Sequence, residues 1–282
     1  MILNKTLAQV ARVRAIALDL DGVVYQGAQA LPGAVAGVGL LRRLGFKVYF
    51  VTNNSAKTRV EVARKITQMG IIAGQDDVLT SGYAAAFLVS RLMREGNRRV
   101  LVLGSESLKS DMVQTGVEIV TAAPCDFLVV GLDTGLTYEK ICVALDALLN
   151  GALFIACNLD PVFPTEGGRL LPGCGPEVAA LQVASARKPD HVAGKPNTLL
   201  LEILAENDKL LPDQILVIGD GLESDIAMAN KYGSLSVLVT QTQDFSRSGE
   251  LRRSEQLPGL VVESLYEFAR LMEAGCSTWI HK

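Results

Sequence analysis

Residues 15–27 read AIALDLDGVVYQG, an apolar run leading directly into two carboxylates, Asp19 and Asp21, and then a glycine. The run predicts a β-strand over 13–18, and the period of two turns Asp19 and Asp21 to one face unless the chain bends at the strand's C-terminal end. Carboxylates this close repel, and each is driven toward protonation unless a cation shares the site. Oxygen ligands of this kind suit Mg²⁺, which takes one or two protein carboxylates and completes its shell with water and substrate phosphate. Gly22 lets the backbone turn sharply and approach a ligand. For these residues alone, the competing reading is a solvated turn, because Asp-Gly is a common turn pair.

Three further segments extend the inventory. KVYFVTNNS (47–55) ends in Thr52, Asn53 and Asn54; AGKP (193–196) surrounds Lys195; QILVIGDGLESDIAMA (214–229) carries Asp220 and Asp225. Three of the four segments place their polar residues where an apolar run stops. In an open parallel sheet, ligands bind beyond the carboxyl ends of the strands, so residues distant in sequence meet there. Pooled, these side chains form a phosphate-handling set: carboxylates for a metal, a hydroxyl and amides for phosphate oxygens, one lysine for charge.

The order Asp-x-Asp-Gly, Thr-Asn-Asn, Gly-Lys-Pro, Gly-Asp-x-x-x-x-Asp resembles the haloacid dehalogenase superfamily of phosphatases, and in particular its NagD-like or p-nitrophenylphosphatase-like branch. The likeness spans nearly the whole chain. VVGLDTGLTYEK (129–140) and IACNLDPVFPTEGGRLLPGCGPEVAAL (155–181) are similar to the large C2-type cap which that branch inserts between its second and third motifs. The resemblance implies that Asp19 is a nucleophile forming an aspartyl-phosphate and that Asp21 protonates the leaving oxygen and then activates water. It places Asp19, Asp21 through its backbone carbonyl, and Asp220 on Mg²⁺. Thr52, Asn53, Asn54 and Lys195 would serve the phosphate, with Asp225 supporting Lys195 or metal-bound water. Carboxylate nucleophiles and an acid that switches to a base are chemically suited to two-step phosphoryl transfer. The chain departs from the branch at Gly221, where arginine is common, at Glu223, where aspartate is common, and at Cys157, where threonine is frequent.

Composition sets bounds. The chain has 282 residues, 49% of them hydrophobic, enough for two domains with their own cores. A net charge of −3 and 5% aromatic residues disfavour a nucleic acid polymer as partner. Five cysteines (Cys125, Cys142, Cys157, Cys174, Cys276) without a C-x-x-C read as reduced thiols packing as small hydrophobes. Only His191 and His281 are present, so catalysis by histidine would rest on His191, which reads as a linker residue. Polar residues break up the N-terminal 18 residues, and no apolar run reaches membrane-spanning length, so the expected location is the cytoplasm, with no membrane partner. The expected partner is a small phosphorylated metabolite, and a homodimer is left open.

Strand-like runs at 13–18, 47–52, 99–103, 127–131, 153–156, 215–219 and 236–240 alternate with helical segments at 33–44, 58–69, 82–94, 137–149, 175–185, 197–206 and 223–231. That alternation predicts an α/β fold with a parallel-sheet, Rossmann-like core. The expected core domain comprises 1–81 and 188–282, with an inserted α/β cap at 82–187. Substrate discrimination is expected in the cap loop from Asn158 to Glu166, with Asn158 and Asp160 the first candidates for contact. The resulting expectation is a Mg²⁺-dependent phosphomonoesterase acting on small esters such as p-nitrophenyl phosphate, phosphoglycolate, glycerol phosphates or nucleoside monophosphates. The alternatives are an idle binding or regulatory protein of the same fold, and a phosphoaspartate signalling protein.

Overall fold

The computed structural model describes residues 10–165, 169–242 and 257–277, without the side chains of 276 and 277. Glu166 and His281 lie outside the described residues. The chain divides into two compact units, one formed by 1–52, 63–78 and 195–282, the other by 53–62 and 79–194.

In the first unit a six-stranded sheet runs in the order Leu260–Val262, Leu235–Val239, Ile215–Gly219, Ala15–Asp19, Lys47–Thr52, Val78–Thr80. The division between units falls within the last of these strands, after Val78. Ala15–Asp19 is central and pairs in parallel on both sides, with Leu18 opposite Ile218 and Phe50. A parallel strand buried on both faces needs apolar residues throughout rather than alternation, which is why AIAL precedes Asp19 without a polar break. Ile16, Leu18 and Leu20 are at most 1% exposed. Each such burial contributes about 1.5–3 kcal/mol. Helices Ala34–Arg43 and Leu265–Ser277 pack against each other within this unit. The result is a Rossmann-like parallel core whose adjacent strands end at Asp19, Thr52 and Gly219.

The second unit has its own five-stranded parallel sheet, in the order His191–Val192, Leu153–Ala156, Phe127–Val130, Arg99–Leu103, Glu118–Val120. Leu128, Val130, Phe154, Val178 and Leu181 belong to its core, closed by helices Tyr138–Leu149 and Gly175–Ser185. This unit is wider than the 82–187 insert read from the sequence, and hydrogen bonding explains the extra residues. The Asn53 carbonyl accepts from Ser81 Oγ at 2.6 Å, Ser55 Oγ accepts from the Leu132 N–H at 2.9 Å, and Ser107 Oγ donates to Glu61 Oε2 at 2.8 Å. At the other end, the Gly194 N–H donates to the Cys157 carbonyl at 2.7 Å.

Several elements escaped the sequence reading. Strands Val78–Thr80, Glu118–Val120 and Leu260–Val262 have three residues each, too few to show a period. The Glu106–Val113 helix has only eight residues, and its clearest mark is Ser105, whose hydroxyl accepts from the Leu108 N–H at 3.2 Å as an N-cap. Leu265–Ser277 buries Leu265, Phe268, Ala269 and Met272 at helical spacing, a pattern present in the sequence but missed. His191 is corrected from a linker residue to part of an edge strand, since His191 and Val192 pair in parallel with Ile155 and Ala156. Among the described residues no helix is long and apolar enough to cross a membrane.

Two buried carboxylates in the second unit were also unforeseen. Glu177 accepts from the Asp133 N–H through Oε1 at 2.8 Å, while its Oε2 and Asp111 Oδ2 are buried without a hydrogen-bond partner. Burial pushes Glu177 up to about 7 and Asp111 to about 6. Because the folded value of Glu177 lies above its ordinary 4.5, its contribution to stability is fully present below that value and lost as pH rises through about 7. The variant E177Q cannot ionise, so its melting temperature relative to wild type should rise between pH 5 and pH 8, by about 2–4 °C per kcal/mol. A difference that stays flat with pH in thermal unfolding would show that Glu177 ionises in the folded chain at its ordinary value, without the upward shift.

Candidate functional site

At the C-terminal end of the central strand of the first unit, Lys195 Nζ lies between two buried carboxylates. It donates to Asp19 Oδ1 at 2.6 Å and to Asp225 Oδ1 at 2.7 Å, and the three residues are 5%, 7% and 2% exposed. Asp19 is the last residue of its strand. Asp225 sits in a π-turn over Leu222–Ile226, where the Gly221 carbonyl accepts from the N–H groups of Asp225 and Ile226. That turn lets Asp225 Oδ2 accept from the Gly221 N–H at 3.2 Å and from Ser224 Oγ at 3.1 Å. Turns of this kind recur at functional sites because they re-aim one side chain.

The electrostatics follow from that packing. Burial, together with the charges on Asp225 and Asp220, pushes Asp19 well above the usual carboxylate range, and Lys195 opposes the shift. Burial pulls Lys195 down, but the facing charges of Asp19 and Asp225 outweigh it and hold the ammonium protonated. Ligand oxygens of Asp19, Asp220 and Asp225 lie within 4.8 Å of one another. If all three carboxylates ionise, they outnumber the one ammonium and leave excess negative charge. Unbalanced charge in a buried place is costly. An all-oxygen donor set with that excess fits a hard divalent cation in sign, size and chemistry.

Asp21 lies just past the strand, where the chain bends. Gly22 has φ +85°, and a Cβ there would stand 2.0 Å from Asp220 Oδ2, so only glycine lets the Asp220 carboxylate come so close. Thr242 Oγ1 lies 3.1 Å from the Gly22 carbonyl and 3.3 Å from Asp220 Oδ2, within donating distance of either. Asp21 Oδ2 accepts from the Tyr25 hydroxyl at 3.3 Å, and Lys65 Nζ stands 3.5 Å from the centre of the Tyr25 ring. Burial raises Asp21, with Lys65 and Tyr25 opposing. Tyr25 and Lys65 were not anticipated. Tyr25 stands four positions after Asp21 in the opening stretch, a signal that could have been read, whereas nothing in the sequence pairs Lys65 with it.

Thr52, 3% exposed, ends the neighbouring strand of the first unit. The residues that follow belong to the second. Asn54 Oδ1 accepts from the N–H groups of Ala56 and Lys57 at 2.9 and 3.0 Å and so shapes its own turn. Asn53 Nδ2 lies 3.0 Å from both carboxylate oxygens of Asp160, and Asn158 Nδ2 donates to the Asn53 carbonyl at 2.7 Å. Glu223, whose position departs from the common pattern, lies in the π-turn beside Asp225. Cys157 is fully buried, and burial pushes its thiol up, so it is a packed thiol rather than a reactive one.

Comparison with known proteins bears on the same residues. The family profile for haloacid dehalogenase-like hydrolases matches residues 16–118, and a second HAD-hydrolase-like profile matches 192–268. The chain is 33% identical over 265 residues to the sugar-phosphatase AraL of Bacillus subtilis, covering 92% of this chain and 93% of that one. It is 38% identical over 225 residues to the D-glycerol 3-phosphate phosphatase of Mycobacterium tuberculosis, covering 79% of this chain and 61% of that one. Among solved structures, a 4-nitrophenylphosphatase from Thermotoga maritima superposes with a TM-score of 0.84 at 30% identity, covering 93% of this chain and 98% of that one. The glycerol phosphate phosphatase of Mycobacterium tuberculosis, in complex with magnesium, gives 0.83 at 33% identity, covering 91% and 76%. With Asp19, Lys195, Asp220 and Asp225 gathered as described and relatives aligned over most of its length, the chain belongs to the haloacid dehalogenase-like hydrolases, in their NagD-like, p-nitrophenylphosphatase-like branch.

Proposed function

We propose that this chain hydrolyses small phosphomonoesters through a phosphoryl group carried on Asp19. The observation that carries the reading is the Lys195 ammonium held between Asp19 and Asp225 at the end of the central strand. The names of the relatives, phosphatases of sugar phosphates, glycerol phosphate and nitrophenyl phosphate, support the same class of substrate. Mg²⁺ is the proposed cofactor, held by Asp19, Asp220 and the Asp21 carbonyl with Asp225 nearby; bound there, it would neutralise charge on the transferring phosphoryl group.

In the first step an Asp19 carboxylate oxygen bonds to phosphorus, the ester P–O bond breaks, and Asp21 gives its proton to the departing oxygen. In the second, Asp21 takes a proton from water whose oxygen bonds to phosphorus, the acyl-phosphate P–O bond breaks, and Asp19 is restored as orthophosphate leaves. Lys195 fixes the Asp19 carboxylate and, with Thr52, serves the phosphate oxygens, while Asn53 and Asn54 shape the loop after Thr52. Asp21, raised by burial, is suited to begin as the acid.

The 82–187 insert serves as the cap, since the core motifs read only phosphate and metal and leave discrimination among alcohols to other residues. Free thiols at Cys125, Cys142, Cys157 and Cys174 support a cytoplasmic location. A net charge of −3 supports a small metabolite over a nucleic acid polymer.

Hydrolysis of p-nitrophenyl phosphate and phosphorylated metabolites should require Mg²⁺, and undiminished turnover after thorough chelation would contradict the metal assignment. Asp19→Asn should cut kcat by about 10³-fold or more with an unchanged melting temperature, whereas wild-type kcat in that variant would rule out the covalent route. Asp21→Asn should lose turnover to a similar degree yet still bind Mg²⁺ in calorimetry, because only its carbonyl is asked to serve the metal. Loss of Mg²⁺ binding would make the Asp21 side chain itself a ligand.

A further inference from the structure

Asn53, Asn158 and Asp160 form a single hydrogen-bonded node inside the second unit. Asn53 is held on two sides: its side-chain nitrogen is 3.0 Å from each Asp160 oxygen, and its carbonyl accepts from Ser81 Oγ at 2.6 Å and from Asn158 Nδ2 at 2.7 Å. Asn158 Oδ1 in turn accepts from the Asp160 N–H at 3.0 Å, and the Asp160 carbonyl accepts from the Gly175 N–H at 2.9 Å, at the start of the Gly175–Ser185 helix. The packing leaves no slack. A Cβ on Gly194 would stand 2.5 Å from Asn53 Oδ1, 2.7 Å from the Cys157 carbonyl oxygen and 3.2 Å from Asn158 Cβ. Asn158 is only 4% exposed.

We infer that Asp160 and Asn158 are positioning residues that fix Asn53, and with it the peptide following Thr52, rather than contacts for the leaving group. A carboxylate accepting from an amide nitrogen at 3.0 Å makes a charge-assisted hydrogen bond, stronger than a neutral one, and it sets which way the Asn53 amide faces. Asn53 directly follows Thr52, so its peptide fixes where the strand end presents the hydroxyl proposed for phosphate. Displacement of a positioned group by about 1 Å can cost about 10²-fold in rate. This inference rests on the phosphatase reading and revises the expectation that Asn158 and Asp160 select among alcohols. The group they hold serves the phosphate, which every ester shares.

The test compares Asp160→Ala, Asp160→Asn, Asn53→Ala and the double variant D160A/N53A. Readouts are kcat and KM for p-nitrophenyl phosphate, glycerol 3-phosphate and a hexose phosphate, and the inhibition constant of inorganic phosphate. Asp160→Ala should lower kcat/KM by about 10–100-fold, by the same factor within about threefold on every ester, and should raise the inhibition constant of phosphate. Asp160→Asn keeps an oxygen that accepts from Asn53 and should recover most of the loss. In the double variant the losses should fail to add, because Asp160 acts through Asn53. Ester-selective losses, additive losses, or a fall in kcat with KM and the phosphate constant unchanged would each overturn the positioning role while leaving the phosphatase reading intact. Absence of Mg²⁺-dependent hydrolysis by the wild-type chain would overturn that reading and this inference with it.

Discussion

The arrangement of the first unit turns on one buried cation between two buried carboxylates. An ion triad of this kind is poor evidence for stability, because desolvating each charge costs several kcal/mol and mutual attraction repays that only with good geometry. The geometry here is good: Lys195 reaches Asp19 and Asp225 at 2.6 and 2.7 Å. Removing Lys195 would leave the buried carboxylates without their cation, at a cost of about 3–5 kcal/mol. A chain that keeps such a triad at the open end of its central strands, where ligands of parallel sheets bind, is organised for chemistry there.

That constraint reaches backward into the sequence. Asp19 can terminate its strand because AIAL is buried on both faces and holds the strand in register with Ile215–Gly219 and Lys47–Thr52. Asp225 can face Lys195 because the π-turn after Gly219 shifts it from ordinary helical placement. Gly22 is required because the Asp220 carboxylate occupies the space a side chain would fill.

The four long strands of the first-unit sheet and the cluster at their open end were therefore readable: apolar runs marked the strands, and polar residues near their ends named Asp19, Lys195, Asp220 and Asp225, which the structure brings together, and Thr52, which ends the neighbouring strand. What could not be read depends on tertiary contact alone. Lys65 over the Tyr25 ring joins the helix Arg59–Gln68 to the short hairpin of Tyr25–Gln26 and Gln29–Ala30, and no spacing relates them. Glu177 and Asp111 sit in helices where charged residues ordinarily face solvent, and only the finished packing shows them buried. Asn158 and Asp160 read as part of an ordered polar loop, and their contacts with Asn53, more than a hundred positions earlier, have no mark in the sequence. His191 looked like a linker because two residues cannot display a strand period.

The second unit thereby has two tasks on this account. Under the proposed function, residues outside the Asn53–Asn158–Asp160 node are left to discriminate among alcohols, while the node is proposed to hold the loop after Thr52 in a fixed conformation. Both tasks matter only if Asp19 carries the phosphoryl group. The most direct measurement is to mix wild-type protein with Mg²⁺ and p-nitrophenyl phosphate, quench in acid, reduce with borohydride and map the peptides by mass spectrometry. An acyl phosphate on Asp19 is reduced to homoserine, so residue 19 should be converted only when substrate was present. Conversion at another carboxylate, or substrate hydrolysis with phosphate retained on a different side chain, would contradict the account.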